Sequence, residues 1–395
     1  MSYQDHYFHG KHIVLVNTWT VINSRGGTEK VFIDMANTLV SMGYRVTAIC
    51  CDSQQGEPQF ELNKKVHFIN AYQDNLLSQT FFKNLLSFRL SRKQRHLNRV
   101  SYNYSLLSRD LAQYLAVFQD ADLIISFQCA TTYLLIDRLK ISAPIITMFH
   151  RHPSAFIENI AYPIYRNAVE KSAYIQVLMP EYEDIVKSAF SGVKTVCIPN
   201  IAPQYDSTCD ISQKKIITVS RLAKEKRPEL LVYAFSLLSK KHPDWKLEYW
   251  GEFGDDKLFV SISGLIKSLE ISKQFILCGP TDDIPSKLKS ASIFAFPSQS
   301  EGFSLALAEA MSMGLPTIGC RDCPSVNSII RDNVNGYLID PTPSALAEAL
   351  DKLMNDINLR QLFGKNARND MKQYSAEVVW ESWNNLILDV LKKHN

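Results

Sequence analysis

The 395-residue sequence contains no long apolar run. No stretch approaches the ~18 apolar residues of a transmembrane helix. Near the start, the apolar run Ile13 to Val16 is far shorter than the hydrophobic region of a secretory signal peptide. These absences argue against a membrane-spanning or secreted protein, and we expect a cytoplasmic one.

A large excess of either charge is also missing. The formal net charge is +3, which argues against a general nucleic-acid binder. Residues 1–200 hold 20 Lys/Arg and 16 Asp/Glu, whereas residues 201–395 hold 23 and 24. The positive excess therefore lies in the first half, where the segment 83–109 has seven basic residues and no acidic one.

The eight cysteines lack a regular spacing. In a long chain without a signal peptide, such cysteines are typical of reduced thiols. Cys320-x-x-Cys323 has no second pair at zinc spacing, so we interpret it as two small residues in a loop. No metal or redox site is predicted.

Short β-rich runs alternate with helical stretches, which indicates parallel α/β sheets. One series begins with HIVLVN at 12–17, and a second begins with KIITVS at 215–220. The polar segment 200–215 between them is the candidate linker. With 46% apolar residues, the chain is long enough for two cores, and we expect two doubly wound domains whose carboxyl strand ends face a cleft.

The stretch SQSEGFSLALAEAMSMGLP (298–316) follows the strand IFAFP. Ser304 is a candidate N-cap for a helix that Gly314 closes. The free N–H groups of that helix would suit a phosphate, and Glu301 and Glu309 would accept hydrogen bonds from sugar and ribose hydroxyls. Alternatively, Glu301 only favours the helix dipole and Glu309 is a solvated surface residue.

The stretch VSRLAKEKRPELLVYAF (219–235) places two cations after a strand and before a helix that Pro228 opens. Arg221 offers a bidentate fork and Lys226 a point charge, which together suit a diphosphate. A solvated basic loop is the alternative.

These two stretches together resemble the retaining glycosyltransferases of family 4, which have the GT-B fold of two Rossmann-like doubly wound domains. The resemblance covers the chain and includes GGTEKV near the start, a histidine after PIITMF and CPSVNSII after the glutamate helix. The chain is similar to bacterial enzymes that assemble capsule, O-antigen and related polysaccharides. The resemblance implies an acceptor domain at 1–200, a donor domain at 201–370 and a terminal helix, 371–395, that crosses back to the N-terminal domain.

The resemblance also implies roles for individual residues. Glu301, His150, Arg221 and Lys226 would be catalytic, with the two cations on the donor diphosphate and His150 on the transferred sugar. His152 is a weaker rival for that role, and packing is the alternative for a single histidine at a strand end. Donor binding would fall to the following residues: Gly26, Gly27, Gly251, Gly279, Gly302, Phe303, Ser304 and Glu309.

The predicted roles of these glycines depend on the close approach of the backbone to a ligand. Gly26 and Gly27 would let the N-terminal loop approach the donor phosphates or the acceptor, and a permissive turn before a helix is the alternative. Gly251 would face the donor, and the loop Gly279–Asp283 would border the base.

Breaking the anomeric bond produces an oxocarbenium-like sugar and a nucleoside diphosphate. Arg221, Lys226 and the helix dipole would stabilise the departing charge without a metal. A front-face reaction, in which the leaving phosphate oxygen takes the acceptor proton, is the hypothesis. The motif Asp120-Ala-Asp122 matches a metal-binding D-x-D, but it opens the strand DLIISF rather than closing one, so we expect no metal there and full activity in EDTA.

The basic segment 83–109 mixes leucines and aromatic residues with its cations. Through Arg92, Lys93, Arg95 and Arg99 it would lie on an anionic membrane or guide a lipid-pyrophosphate-linked acceptor. A solvated helix packed by its leucines is the alternative.

We therefore expect transfer of a sugar from a nucleotide sugar to a lipid-linked glycan at the inner face of a bacterial membrane. UDP is the favoured nucleotide, because UDP-sugars are frequent donors in the family. Three other functions remain open. They are transfer to a soluble acceptor, non-hydrolysing UDP-sugar epimerisation, and non-catalytic sugar-nucleotide binding.

Overall fold

The computed structural model describes residues 10–24, 26–73, 92–159 and 161–394, with only the backbone for 92–96. Its contacts divide the chain into two compact units. The first unit comprises Met1–Ile198 and Glu381–Asn395, and the second comprises Pro199–Trp380. The final helix, Ala376–His394, contributes residues to both.

The first unit is built on a seven-stranded sheet in the order β3-β2-β1-β4-β5-β6-β7. Every neighbouring pair is parallel. The strands are β1 His12–Asn17, β2 Arg45–Cys50, β3 His67–Asn70, β4 Leu123–Ser126, β5 Ile145–Met148, β6 Tyr174–Val177 and β7 Thr195–Cys197. β1, β4 and β5 are buried along their whole length, as expected for apolar strands covered on both faces.

The helices of the first unit cover that sheet. Their bounds are Gly27–Ser41, Arg92–Ala112, Leu115–Gln119, Cys129–Tyr133, Ser154–Ile157, Tyr162–Val169 and Glu181–Ala189, with a π-helical turn at Leu134–Arg138. The longest of them carries the later part of the basic segment. Its C-terminal half packs on the core through Tyr104, Leu107 and Leu111.

The second unit has a six-stranded parallel sheet in the order β10-β9-β8-β11-β12-β13. The strands are β8 Lys215–Val219, β9 Lys246–Trp250, β10 Phe275–Gly279, β11 Ile293–Phe296, β12 Thr317–Cys320 and β13 Gly336–Ile339. The helices are Pro228–Ser236, Asp256–Ser268, Ile284–Lys289, Leu305–Ser312, Pro324–Ile329, Pro343–Asn355 and Ile357–Asp370, with 3₁₀ turns at Lys224–Lys226 and Met371–Tyr374.

Both sheets are doubly wound. In the first, the chain fills β2 and β3 on one side of β1 and then continues from β4 on the other side. In the second, β8 and β11 are the neighbours at which the order reverses in the same way. The prediction of two doubly wound parallel-sheet domains is confirmed, and each reversal leaves a crevice at the carboxyl ends of its two central strands.

One strand of the first sheet was not predicted. His67–Asn70 pairs with β2 as a four-residue edge strand in which only Ile69 is buried. It follows the polar stretch DSQQGEPQFELNKK at 52–65, where neither an alternating pattern nor an apolar run is visible. A short, half-exposed edge strand carries too little hydrophobic signal to be recognised.

The proposed linker, 200–215, is part of the second unit, which begins at Pro199. The backbone N–H of Ala202 donates to the carbonyl of Tyr374 over 2.8 Å, and that of Cys209 donates to Met313 over 2.8 Å. Both Ala202 and Cys209 are buried. The segment thus lacks regular structure but has its backbone anchored.

Among the described residues, no helix is both long and apolar enough to cross a bilayer.

Candidate functional site

The crevice of the second sheet is framed by the loops that follow β8 and β11. The loop after β8 makes a 3₁₀ turn at Lys224–Lys226 and a left-handed residue at Arg227, and then enters the helix Pro228–Ser236. The loop after β11 leads into the helix Leu305–Ser312. The backbone N–H of Gln299 joins the two loops by donating to the carbonyl of Glu225 over 2.8 Å.

Lys226 and Glu301 meet in this crevice. The Nζ of Lys226 lies 2.5 Å from Oε1 of Glu301, and the two side chains are 13% and 14% exposed. The same ammonium lies 5.9 Å from the ring centroid of Phe296, the last residue of β11. The structure therefore places one predicted cation directly against the predicted sugar-binding carboxylate.

The helix after Glu301 begins as predicted. Ser304 is its N-cap, and its side-chain oxygen accepts from the backbone N–H of Leu307 over 3.3 Å. The helix ends at Ser312, and Gly314 adopts a positive φ of 85°. The ring of Phe303 packs against Tyr374 at 5.2 Å, so its backbone is held in place just before the helix.

Arg221 and Glu309 lie in the same unit but in different surroundings. Arg221 is 67% exposed, and its Nη2 lies 3.7 Å from Oε1 of Glu225. Glu309 is half-buried within the capped helix. Burial raises the pKa of the Tyr205 phenol, and the negative charge of Glu309 adds to that increase.

Gly251 has a steric reason to be glycine. Its φ is +147°, and a Cβ built on it would lie 1.9 Å from the carbonyl oxygen of Ser220. Ser220 directly precedes Arg221, so the close approach of the two loops fixes where Arg221 starts. Gly279 also has a positive φ, and Asp283 caps the helix Ile284–Lys289 by accepting from Ser286 N–H over 3.1 Å.

A second ion pair beside Lys226 was not predicted. The guanidinium of Arg227 donates through Nη1 to Oδ1 of Asp322 over 2.8 Å, and Nη2 bonds Oδ2. The hydrogen bond from Arg227, helped by its positive charge, holds the pKa of Asp322 below its usual value, and the same bond raises the pKa of Arg227. The sequence feature that could have indicated this ion pair is Asp322, an acid just after the strand PTIGC. This pair anchors the residue that follows Lys226.

Other predicted residues lie in the first unit. His150 follows β5, and its ring stacks on Phe127 at a centroid distance of 4.9 Å. Burial lowers the pKa of His150 to about 4, so its imidazole is neutral at pH 7. His152, two residues on, packs edge to face on Tyr182 at 4.8 Å.

Gly26 is the N-cap residue of the helix that starts at Gly27. Its φ of −71° is open to any residue, and the atoms that a Cβ would meet belong to the flexible side chain of Glu29. The structure thus gives no backbone reason for this glycine. The close approach of a ligand remains the prediction for both Gly26 and Gly27.

The D-x-D motif has structural partners at the amino edge of the first sheet. Asp122 accepts from Lys11 Nζ over 2.9 Å and from the His12 backbone over 2.7 Å. Asp120 lies 2.7 Å from Arg45. Across the described residues, no group of three Asp, Glu, His or Cys side chains has the arrangement of a metal site.

The basic segment is described only in part. Residues 83–91 lie outside the described residues, as do the side chains of Arg92, Lys93 and Arg95. Their backbone opens the helix Arg92–Ala112, on which Arg99 is exposed.

Residues 208–370 match the family model described as glycosyl transferases group 1. Over 371 residues the chain is 24% identical to an uncharacterized glycosyltransferase of Haemophilus influenzae, covering 93% of this chain and 97% of that protein. In other curated relatives the alignment covers 21% to 51% of the relative's own length, so the chain spans about half of that length or less.

Solved structures share the fold. Sucrose-phosphate synthase of Thermosynechococcus elongatus superposes with a TM-score of 0.78 at 16% identity, covering 97% of this chain and all of that one. HepE of Anabaena, in complex with UDP and glucose, superposes with a TM-score of 0.72 at 16% identity, covering 95% and 99%.

Proposed function

The chain is a glycosyltransferase, and we propose that it moves a hexose or N-acetylhexosamine from a UDP-linked donor to a lipid-pyrophosphate-linked glycan of a bacterial surface polysaccharide, with retention of anomeric configuration. The observation that carries this proposal is the contact between Lys226 and Glu301 in the crevice of the second sheet.

The pair provides both halves of donor recognition. A carboxylate close to a diphosphate would be repelled by it, and the Lys226 ammonium at 2.5 Å offsets that repulsion. With the lysine engaged by phosphate, Glu301 accepts hydrogen bonds from sugar hydroxyls. The helix that Ser304 caps adds free backbone N–H groups and a positive dipole end for the same diphosphate.

Bond cleavage follows from this charge distribution. As the anomeric C–O bond breaks, negative charge accumulates on the departing diphosphate, and Lys226 and Arg221 stabilise it more strongly than they stabilise the intact donor. The leaving phosphate oxygen takes the proton of the acceptor hydroxyl while that hydroxyl attacks the same face of the sugar. Neither step requires a metal, and His150 remains the proposed partner of the transferred sugar.

The choice of UDP and of acceptor rests on separate grounds. A relative by structure, HepE, holds UDP and glucose in its crystals, which supports a UDP-linked hexose for a chain of the same fold. The sequence segment 83–109 has seven basic residues and no acidic one, a charge that would attract a lipid pyrophosphate or an anionic membrane.

The test begins with the donor. Purified protein is incubated with UDP- and GDP-linked hexoses and N-acetylhexosamines, with and without EDTA, while calorimetry reports binding and nucleotide release reports slow hydrolysis. We expect one UDP-sugar to bind and turn over equally with and without EDTA. If no nucleotide sugar binds, the proposal fails.

The stereochemistry is tested on the product. With a lipid-pyrophosphate acceptor added, proton NMR of the first transferred sugar is expected to show the donor's anomeric configuration. An inverted product would eliminate the front-face mechanism, and isomerised donor without transfer would indicate an epimerase instead.

A further inference from the structure

Two consecutive residues after β8, Lys226 and Arg227, contact two different loops of the second unit. The Lys226 ammonium lies 2.5 Å from the Glu301 carboxylate in the loop after β11. The Arg227 guanidinium donates through Nη1 to Oδ1 of Asp322 over 2.8 Å, and its Nη2 bonds Oδ2, in the loop after β12. The residue next to Lys226 is therefore held by a separate loop.

The backbone of Arg227 has a conformation that a residue with a side chain rarely adopts. Its φ and ψ are 50° and 52°, in the left-handed region, where the Cβ comes too close to the following carbonyl oxygen. Pro228 follows directly and pushes the residue before it towards an extended backbone. Among the described non-glycine residues with a positive φ, Arg227 is the only one that precedes a proline. Glycine would adopt this conformation without strain, so some interaction must hold the arginine in it.

The ion pair with Asp322 is that interaction. Two guanidinium nitrogens meet the two carboxylate oxygens, and this two-point geometry is stronger and more specific than a single charged contact. The Arg227 side chain is only 18% exposed, so solvent screens this pair less than it screens a fully exposed one. Because the hydrogen bond from Arg227 keeps the pKa of Asp322 below its usual value, the pair stays charged at neutral pH.

The loop that carries Asp322 is itself firmly held. The backbone N–H of Arg321 donates to the carbonyl of Ile339 over 2.8 Å, which ties the start of the loop to β13. The backbone N–H of Cys323 donates to the carbonyl of Cys320 over 3.2 Å and closes a tight turn around Asp322. The carboxylate is therefore a fixed support for the guanidinium.

We propose that Arg227 is a positioning residue, whose ion pair with Asp322 holds its backbone left-handed and thereby directs the Lys226 ammonium into the crevice of the second sheet. If residue 227 relaxed to an extended backbone, the preceding 3₁₀ turn would rotate and withdraw the ammonium. This inference rests on the proposed function, which assigns Lys226 to the donor diphosphate. It adds a pair that acts on donor binding through the backbone, without touching the donor.

A direct role for Arg227 in binding the diphosphate is the alternative, and electrostatics separates the two roles. If the guanidinium bound the diphosphate itself, removing Asp322 would free that cation and delete a nearby negative charge, so UDP would bind more tightly. A positioning role predicts the opposite, because residue 227 then relaxes and takes Lys226 out of the crevice. The sign of the change in UDP affinity therefore distinguishes the two roles.

The experiment uses the full chain and five variants. Arg227→Ala and Asp322→Ala each break the ion pair. Arg227→Gly also breaks it, but glycine adopts the left-handed backbone freely, and a double variant combines Arg227→Gly with Asp322→Ala. The matched control is Arg331→Ala, because Arg331 makes the same kind of two-point bond to Asp370 in the same unit, at 2.9 and 2.8 Å, and its φ is not positive.

Isothermal calorimetry measures the affinity of each protein for UDP. We expect Arg227→Ala and Asp322→Ala to bind UDP about tenfold more weakly, the factor that corresponds to the left-handed strain of a residue with a Cβ. Arg227→Gly, the double variant and Arg331→Ala should stay within about twofold of the unaltered chain. Tighter binding in Asp322→Ala, or equally weak binding in Arg227→Gly and Arg227→Ala, would overturn the proposal.

A second measurement reports the position of Lys226 without any nucleotide. Limiting acetic anhydride acetylates lysine amines, and mass spectrometry compares the rate at Lys226 with that at the exposed Lys224 of the same turn. Because the Lys226 side chain is 13% exposed and paired, we expect slow acetylation in the unaltered chain and in Arg227→Gly. In Arg227→Ala and Asp322→Ala the rate should approach that of Lys224.

An equally slow rate in every variant would contradict the positioning role. If no nucleotide binds the unaltered chain, the proposed function fails, while the acetylation rates still decide whether Arg227 positions Lys226.

Discussion

The ammonium of Lys226 lies 2.5 Å from the Glu301 carboxylate, at the point where the second sheet reverses its strand order. The two residues are 75 positions apart in the chain and come from loops after neighbouring strands, β8 and β11. We propose that a diphosphate enters this crevice by displacing the Glu301 carboxylate from the Lys226 ammonium.

Replacing Lys226 tests this exchange. Lys226→Ala should weaken UDP binding by about 1.5–3 kcal/mol, the range for hydrogen bonds to charged groups, because the diphosphate loses its ammonium and meets Glu301 without it. Isothermal calorimetry measures the change. Lys224→Ala is the control, since Lys224 is exposed in the same 3₁₀ turn. Equal affinity in the Lys226 variant and the unaltered chain would remove Lys226 from the diphosphate site.

Replacing Glu301 should separate sugar recognition from nucleotide recognition. Glu301→Gln removes a negative charge near the diphosphate, so UDP should bind as well as before or better. The rate of transfer should fall by roughly 10²-fold or more, because an acceptor for the sugar hydroxyls is weakened in the transition state. Steady-state kinetics with parallel UDP calorimetry measures both quantities.

Glu348→Gln provides the comparison for this variant, because Glu348 is a surface residue, 69% exposed, that pairs with Lys352 in the same unit. A Glu301→Gln enzyme with full activity, or one that loses UDP affinity and activity together, would contradict the assignment of Glu301 to the sugar.

Much of this site was predictable from local sequence. The strands that frame the site are continuous apolar runs, and Ser304 has the residue type and position of an N-cap. The loop between the end of β11 and Ser304 was therefore located correctly. The individual partners were not predictable. Arg227 and Asp322 are 95 residues apart and meet only because β8, β11 and β12 are assembled in that order.

The contacts of Asn17, the last residue of β1, show the same limit more clearly. Asn17 is the last residue of an apolar strand. Its amide oxygen accepts hydrogen bonds from Trp19 and Gln128, so its amide nitrogen is not used by either of them. No spacing rule encodes that outcome, because Gln128 lies 111 positions away. The sequence therefore predicts which strand ends carry polar residues, while the assembled sheet decides which atoms remain unmatched.

Gly251 should tolerate no side chain. In Gly251→Ala the new methyl group would lie 1.9 Å from the Ser220 carbonyl oxygen at a φ of +147°, so the loop that begins at Arg221 has to move. We expect a loss of about 1–3 kcal/mol in the free energy of unfolding by urea, together with weaker UDP binding.

Gly254→Ala is the matched control for this variant, because nothing lies within 4 Å of a Cβ built there. Its free energy of unfolding should stay within about 0.5 kcal/mol of the unaltered chain. Equal stability of the Gly251 and Gly254 variants would show that the close approach to Ser220 has no energetic consequence.

The half-buried His150 should make stability depend on pH. Its pKa falls from 6.5 to about 4 on folding, so between these values the unfolded chain binds a proton that the folded chain does not. Stability is therefore fully present above pH 6.5 and declines as the pH falls towards 4, at up to about 1.4 kcal/mol per pH unit for this group. His150→Asn should remove this part of the slope, measured by urea unfolding at several pH values.

Activity distinguishes His150 from its neighbour. If His150 contacts the transferred sugar, His150→Asn should lower the transfer rate, while His152→Asn should leave it nearly unchanged, because the His152 ring packs on Tyr182. The opposite order of effects would assign the sugar contact to His152.

Membrane association should depend on the start of the basic helix. Replacing Arg92, Lys93, Arg95 and Arg99 by glutamine should abolish sedimentation with vesicles containing anionic lipid, since each cation near such a surface contributes about 1 kcal/mol. The control neutralises four exposed lysines of the second unit, Lys240, Lys257, Lys267 and Lys273. It carries the same loss of charge and should still sediment. Binding that falls equally in both variants would show that net charge alone attracts the protein, and unchanged binding in the first variant would exclude this helix as the contact.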